Sequence, residues 1–312
     1  MKMTIAEIAL NIRPRRIIST AILGLAVLSL NGCLLNKQPE ARLTSEPSIE
    51  RAFDILGGTP EGKPLLRFLY KKPVRFEYGN TPGFCHKFFL KTGRIFLPKE
   101  LKDSDKLLAL TLARAAYIYR LYVTSGLEDV ISEEEELGAL FQAHIGLNIG
   151  LMNADFDQNK SAKELKSDFC TYIMDGSKSA ALSARTSALS SQPECQRPLD
   201  TLQAQRVWLN ETRKAINDGT FYRLLYERDL RKVRKGVLSM GDAMNNDAAI
   251  RALPTYDIYR YQRVFYDKHS DIFSHMEKLY RDALKSDEAW RQANRAGIDR
   301  AREEFSTCNL PE

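Results

Sequence analysis

Few of the residues able to carry chemistry in this 312-residue chain stand at spacings that chemistry uses. Its four histidines are His86, His144, His269 and His275. The last two are six residues apart, which on a helix turns them about 120° away from each other, so they do not share a metal ion. His144 falls among Leu137, Leu140 and Phe141, a setting in which an imidazole serves as a hydrogen-bonded packing group. Cys85 and His86 are neighbours on an expected strand and point to opposite faces, so they cannot act as nucleophile and base. Asp155-Phe156-Asp157-Gln158-Asn159 begins like a calcium loop, yet Lys160 stands where glycine is needed and Lys166 where a bidentate glutamate belongs. There is no Gly-x-Ser-x-Gly elbow and no phosphate-binding glycine loop. No catalytic residue, metal ligand or cofactor is therefore assigned.

Cys33 is different, because its surroundings specify a reaction. Arg13, Arg15 and Arg16 precede an apolar run from Ile17 to Leu30, and small or polar residues follow. At 1.5 Å per residue such a run spans roughly 21 Å, short of the roughly 30 Å that a permanent membrane helix must cross. Residues 1–32 thus read as an export leader. Leu30-Asn31-Gly32-Cys33 resembles the lipobox of bacterial lipoproteins, with Asn31 in place of the commoner Ala, Ser or Thr. The resemblance implies that the leader is removed, that the Cys33 thiol receives diacylglycerol, and that the chain partners a membrane through that lipid. The alternative is an ordinary secretory leader that happens to contain a cysteine. Leu34 rather than Asp follows Cys33, which by the same resemblance implies an outer membrane location facing the periplasm if the host is Gram-negative.

The leader carries +3 of the formal +6, so the mature chain keeps +3, too little to point to nucleic acid. Cys85, Cys170, Cys195 and Cys308 remain, an even number suited to two disulfides in an oxidising compartment. Three pairings are open; Cys170 with Cys195, nearest along the chain, is the preferred one, and buried free thiols are the alternative.

The elements that position these residues form a mainly α fold, a helical bundle with a small antiparallel β-hairpin or sheet early in the mature chain. Residues 33–48 read as a flexible tether and 49–312 as a single mainly helical domain. Ile49 to Gly58 and Leu65 to Leu69 carry helical spacing. Within a β region at about 73–98, Val74, Phe76 and Tyr78 alternate, and Phe84–Leu90 and Arg94–Leu97 flank the turn Lys91-Thr92-Gly93. Helices fill about 103–306: one capped by Ser104 or Asp103 and ending at Gly126, two with capping boxes at Ser132/Glu135 and Ser161/Glu164, and later ones over 199–217, 221–235, 242–252, 257–284 and 287–305. Ser177 to Gln192 is a frayed helix end or a loop.

The hairpin, the helix Ser104 to Tyr122 and the acidic helix start Glu133-Glu134-Glu135-Glu136 together resemble the layout of zincin metallopeptidases over residues 73–150. In that family the first helix bears His-Glu-x-x-His and a later helix supplies a third ligand. Here the corresponding turn reads Ala113-Arg114-Ala115-Ala116-Tyr117, so the ligands and the general base are absent, while Glu136 matches the third-ligand position. The resemblance implies a degenerate scaffold with Ala113, Arg114, Tyr117 and Glu136 where a site once stood, and no bound metal.

Two surfaces could bind partners. Arg223, Arg228, Arg231, Lys232, Arg234 and Lys235 form a basic stretch suited to anionic headgroups or an acidic protein, or simply a solvated helix end. Tyr256, Tyr259, Tyr261, Phe265 and Tyr266 either line a groove or pack as core. The expectation is a lipid-anchored envelope protein with a non-catalytic binding or structural role, more a binder than an enzyme. A periplasmic hydrolase using Arg114, Tyr117, Glu135 and Glu136, or an assembly factor with an envelope protein partner, are the alternatives.

Overall fold

A computed structural model describes residues 42–79, 87–89, 92–126, 131–157, 159, 162–176, 201–234, 236 and 238–306. The leader, Cys33, Cys85, His86, Cys195, Cys308, the Ser161 cap and the Ser177–Gln192 stretch lie outside the described residues. No described helix is long and apolar enough to cross a membrane. Internal contacts sort the described chain into two compact units, one of residues 42–207 with 270–306 and one of residues 208–269.

The larger unit starts earlier than composition suggests. Leu43 and Thr44, read as tether, are buried, and the Phe76 amide donates to the Leu43 carbonyl. Helix α1 (Pro47–Gly58) opens with proline, whose fixed φ suits a first turn. It buries Ile49, Ala52, Phe53 and Leu56 at helical spacing. Helix α2 (Gly62–Lys71) follows after a turn held by Thr59, whose hydroxyl donates to the Leu56 carbonyl and accepts from the Gly62 amide. A Cβ on Gly62 would stand 1.9 Å from that carbonyl, so only glycine fits.

Strands β1 (Arg75–Gly79), β2 (Lys87–Phe89) and β3 (Arg94–Pro98) make one sheet in the order β1-β3-β2. The expected hairpin is β2 against β3, antiparallel, with Phe88 opposite Ile95. The expectation of a purely antiparallel sheet is corrected, because β1 runs parallel to β3, with Phe76 opposite Ile95. Alternation fixed which side chains face inward, and Phe76, Ile95 and Leu97 are indeed fully buried. It carries no information on strand direction, which the long β1-to-β3 connection sets.

Helices α3 (Asp105–Ser125), α4 (Ser132–Asn148), α5 (Asn153–Asp157) and α6 (Lys163–Asp175) complete this side of the core. At the start of α3 the Ser104 side chain makes no cap; Asp105 instead takes a two-pronged bond from Arg51 at 2.8 and 3.0 Å. Gly126 closes α3 in the left-handed conformation at φ 73°. The α4 cap falls one residue earlier than expected: Ile131 is the N-cap, and Glu134, not Glu135, reaches back to its amide at 3.1 Å. Gly138 lets α3 and α4 approach closely, since a Cβ there would lie 2.7 Å from Ile118 and 3.2 Å from the Arg114 Cγ.

The C-terminal helices differ most from expectation. In place of breaks near 284–287, α10 (Thr255–Ala293) runs for 39 residues and the chain bends only at Asn294 before α11 (Arg295–Glu304). Asp287 does not cap a helix, because its side chain is used inside the core.

Residues 208–269 hold the end of α7 (Leu202–Asn217), α8 (Phe221–Arg234), α9 (Met240–Arg251) and the first part of α10. Ser239 caps α9 by accepting from the Asp242 amide at 3.0 Å. Phe221, Leu225, Ile250 and Ile258 form a separate small core, with Tyr261 and Phe265 packed against it.

Candidate functional site

The Ala113–Tyr117 turn of α3 and the glutamate run at the start of α4 meet as a filled interface. Ala113 is fully buried. Tyr117 stacks on Phe141 of α4 with centroids 4.4 Å apart and rings inclined by 11°. Burial pushes the Tyr117 phenol above its ordinary range, with nearby Arg120 opposing the shift.

Arg114 lies between two carboxylates, 3.3 Å from Glu135 of α4 and 3.3 Å from Asp168 of α6, and the three side chains are only 14%, 13% and 13% exposed. A guanidinium presents donors on two edges, so one arginine can tie three helices together.

Each member of the glutamate run has its own task. Glu133 accepts from the Ser132 hydroxyl at 3.0 Å and the Leu202 amide at 3.0 Å. Glu134 serves the α4 cap, Glu135 meets Arg114, and Glu136 accepts from the Tyr280 hydroxyl at 2.5 Å. These carboxylates neutralise donors that burial would otherwise leave costly. Among the described residues, no group of three His, Cys, Asp or Glu is placed to hold a metal ion.

A second polar centre in the same unit was not legible beforehand. Asp287 of α10, 3% exposed, accepts from His144 Nε2 of α4 at 2.5 Å and from the Tyr172 hydroxyl of α6 at 2.9 Å. For one carboxylate oxygen to accept both, Nε2 carries the imidazole proton. Trp290 stacks on the His144 ring at 3.9 Å, and its indole N–H donates to Glu61 at 2.9 Å; Asn148 donates to the other oxygen of Glu61. Arg291 donates to the Tyr172 carbonyl at 2.6 Å and lies over the Tyr172 ring. Burial, with the adjacent Asp287 charge, drives the Tyr172 phenol far above its ordinary range. The Asp287 carboxylate thus ties the imidazole of α4 and the phenol of α6 to α10, a lock between the three helices. The packing reading of His144 is consistent with this. Its partners lie far away in sequence, and no local pattern could have named them.

In residues 208–269 the expected aromatic cluster divides. Tyr261 and Phe265 join the small core, whereas Tyr256 and Tyr259 stand exposed. The basic stretch divides too: Arg223 pairs with Glu227 at 2.8 Å, and Arg228 lies over Trp208 and Phe265 at 5.0 and 5.4 Å. Arg231 and Arg234 are exposed.

Cys170 is buried and disulfide-bonded. Cys85, Cys195 and Cys308 fall outside the described residues, so the preferred pairing with Cys195 is neither supported nor opposed.

No protein-family model matches the chain, and neither a curated protein nor a solved structure is significantly similar to it.

Proposed function

We propose that the chain is a membrane-anchored envelope lipoprotein with a non-catalytic binding or structural role, held by lipid on Cys33 and carrying a metal-free body that resembles a zincin scaffold. The observation that supports a non-catalytic body is the Arg114–Glu135–Asp168 triad beside the Tyr117–Phe141 stack. Where a peptidase of that layout needs an open cleft lined by two imidazoles and a water-activating carboxylate, this chain has packed rings and an arginine held between two carboxylates. The anchor rests on the order basic segment, apolar run, Leu30-Asn31-Gly32-Cys33. With Leu34 after the cysteine, the outer membrane facing the periplasm is the proposed address in a Gram-negative host.

Two measurements test the two halves of the reading. Mass spectrometry of protein from membranes should show an N-terminus at a diacylated Cys33, and Cys33→Ser should leave membranes washed in high salt, which removes electrostatic contacts; an intact leader on mature protein overturns the anchor. Elemental analysis of purified protein should find no stoichiometric zinc. Zinc that is lost in Glu136→Gln would overturn the non-catalytic scaffold.

A further inference from the structure

We infer that residues 208–269 form a second membrane contact, one that presses an arginine and tyrosine face against an anionic bilayer surface. Three observations carry this.

First, charge is unevenly shared. Residues 208–269 contain twelve Lys and Arg against eight Asp and Glu, whereas the rest of the chain after residue 32 contains 30 against 31. The net positive charge of the mature chain is therefore confined to this unit.

Second, the exposed start of α10 has an interfacial pattern. Tyr256 and Tyr259 are 76% and 66% exposed, the highest values among the large hydrophobic side chains described. Arg260 and Arg263 are exposed too, and the four residues recur at i, i+3, i+4 and i+7, which places them on one helical face. Ile258, Gln262 and Phe265 lie on the opposite, inward face. Arg263 is tied only loosely to Asp267, at 3.7 Å with both side chains mostly exposed.

Third, the same unit exposes further cationic and apolar side chains: Arg231 and Arg234 on α8, and Met240 and Met244 on α9.

Exposed phenols hold their rings among acyl carbons and their hydroxyls at headgroup level, while guanidinium groups pair two-pronged with lipid phosphates. The modest net charge also argues against nucleic acid. The biological setting rests on the envelope reading above, because a lipid-anchored body lies within reach of headgroups. The contact itself does not depend on Cys33.

The test uses the chain from residue 33 with Cys33→Ser, which lacks both leader and lipid; its core residues all lie at Leu43 or beyond. It is sedimented with phosphatidylcholine vesicles and with vesicles in which about a third of the lipid is phosphatidylglycerol. Binding should be confined to the anionic vesicles and be released at about 0.5 M salt. Arg260→Gln with Arg263→Gln should weaken it about fivefold per arginine removed, about 25-fold for the pair. Tyr256→Ser with Tyr259→Ser should weaken it at constant charge, and Lys278→Gln with Arg295→Gln, exposed residues of the other unit, should leave it unchanged. No enrichment on anionic vesicles, equal loss in the control pair, or loss of a cross-linked protein partner without any vesicle binding would each overturn the inference. Because this protein carries no lipid, these failures are distinguishable from failure of the anchor, which is read by mass and fractionation of the native form.

Discussion

Replacing Arg114 by Met tests whether its ion cluster holds the larger unit together. Methionine keeps most of the aliphatic stem that packs near Gly138 and removes only the guanidinium. Glu135 and Asp168, both 13% exposed, then lose the cation they share. Removing one partner of a buried ion pair costs about 3–5 kcal/mol, far more than the net worth of the pair, because the remaining charges stay desolvated. For a unit of this size that is a fall of about 10 °C in melting temperature. The chain has two tryptophans, Trp290 in the larger unit and Trp208 in the smaller, so fluorescence in a Trp208→Phe background follows the larger unit in urea. Neutralising all three groups, with Arg114→Met, Glu135→Gln and Asp168→Asn, should recover most of the loss, since the cluster then buries no charge of its own. A cost below about 1 kcal/mol for Arg114→Met, or a triple variant as unstable as the single one, would refute this account of the cluster.

Three further outcomes follow from other parts of the structure. Asp287→Ala removes the acceptor for His144 and Tyr172 and should cost about 2–4 kcal/mol in urea unfolding, with altered Trp290 emission as α10 loosens. Tyr172 and Tyr117 have phenols shifted upward by burial, so the neutral forms belong to the folded state. Their contribution is fully present below about pH 10 and lost as pH rises beyond it, which the urea midpoint and tyrosinate absorbance should show together, less steeply in Tyr172→Phe. Gly62→Ala should cost more than about 2 kcal/mol in thermal melts, because the added Cβ meets the Leu56 carbonyl, whereas Gly58→Ala, with open space around it, should be nearly neutral or stabilising.

Local signals carried the fold well where one residue decides the outcome. Gly126 bounds its helix because its backbone preference acts within a turn, whereas Pro47, read as tether, opens one. The β2–β3 hairpin was readable for the same reason. Choices among near-equivalent neighbours were not: the α4 cap went to Glu134 because burial of Ile131 decided the register, a tertiary effect. Asp287 looked like a helix start because acidic residues favour that position, but its partners His144 and Tyr172 lie 143 and 115 residues away. Arg114 could be noticed as an anomaly against the zincin pattern, yet Asp168, which shares its charge, had no signal in the primary structure.

The polar lock also bears on how the chain reaches its final state. Arg291 donates to the Tyr172 carbonyl and Arg302 to the Ile173 carbonyl, so helices laid down early are finished by residues 119 and 129 positions further along the chain. Until residues 287–302 arrive, the imidazole of α4 and the phenol of α6 lack the acceptor they share, and the Tyr172 carbonyl keeps only the Gly176 amide. A chain cut short of residue 287 would keep most of its apolar sequence and still lack the carboxylate that His144 and Tyr172 share.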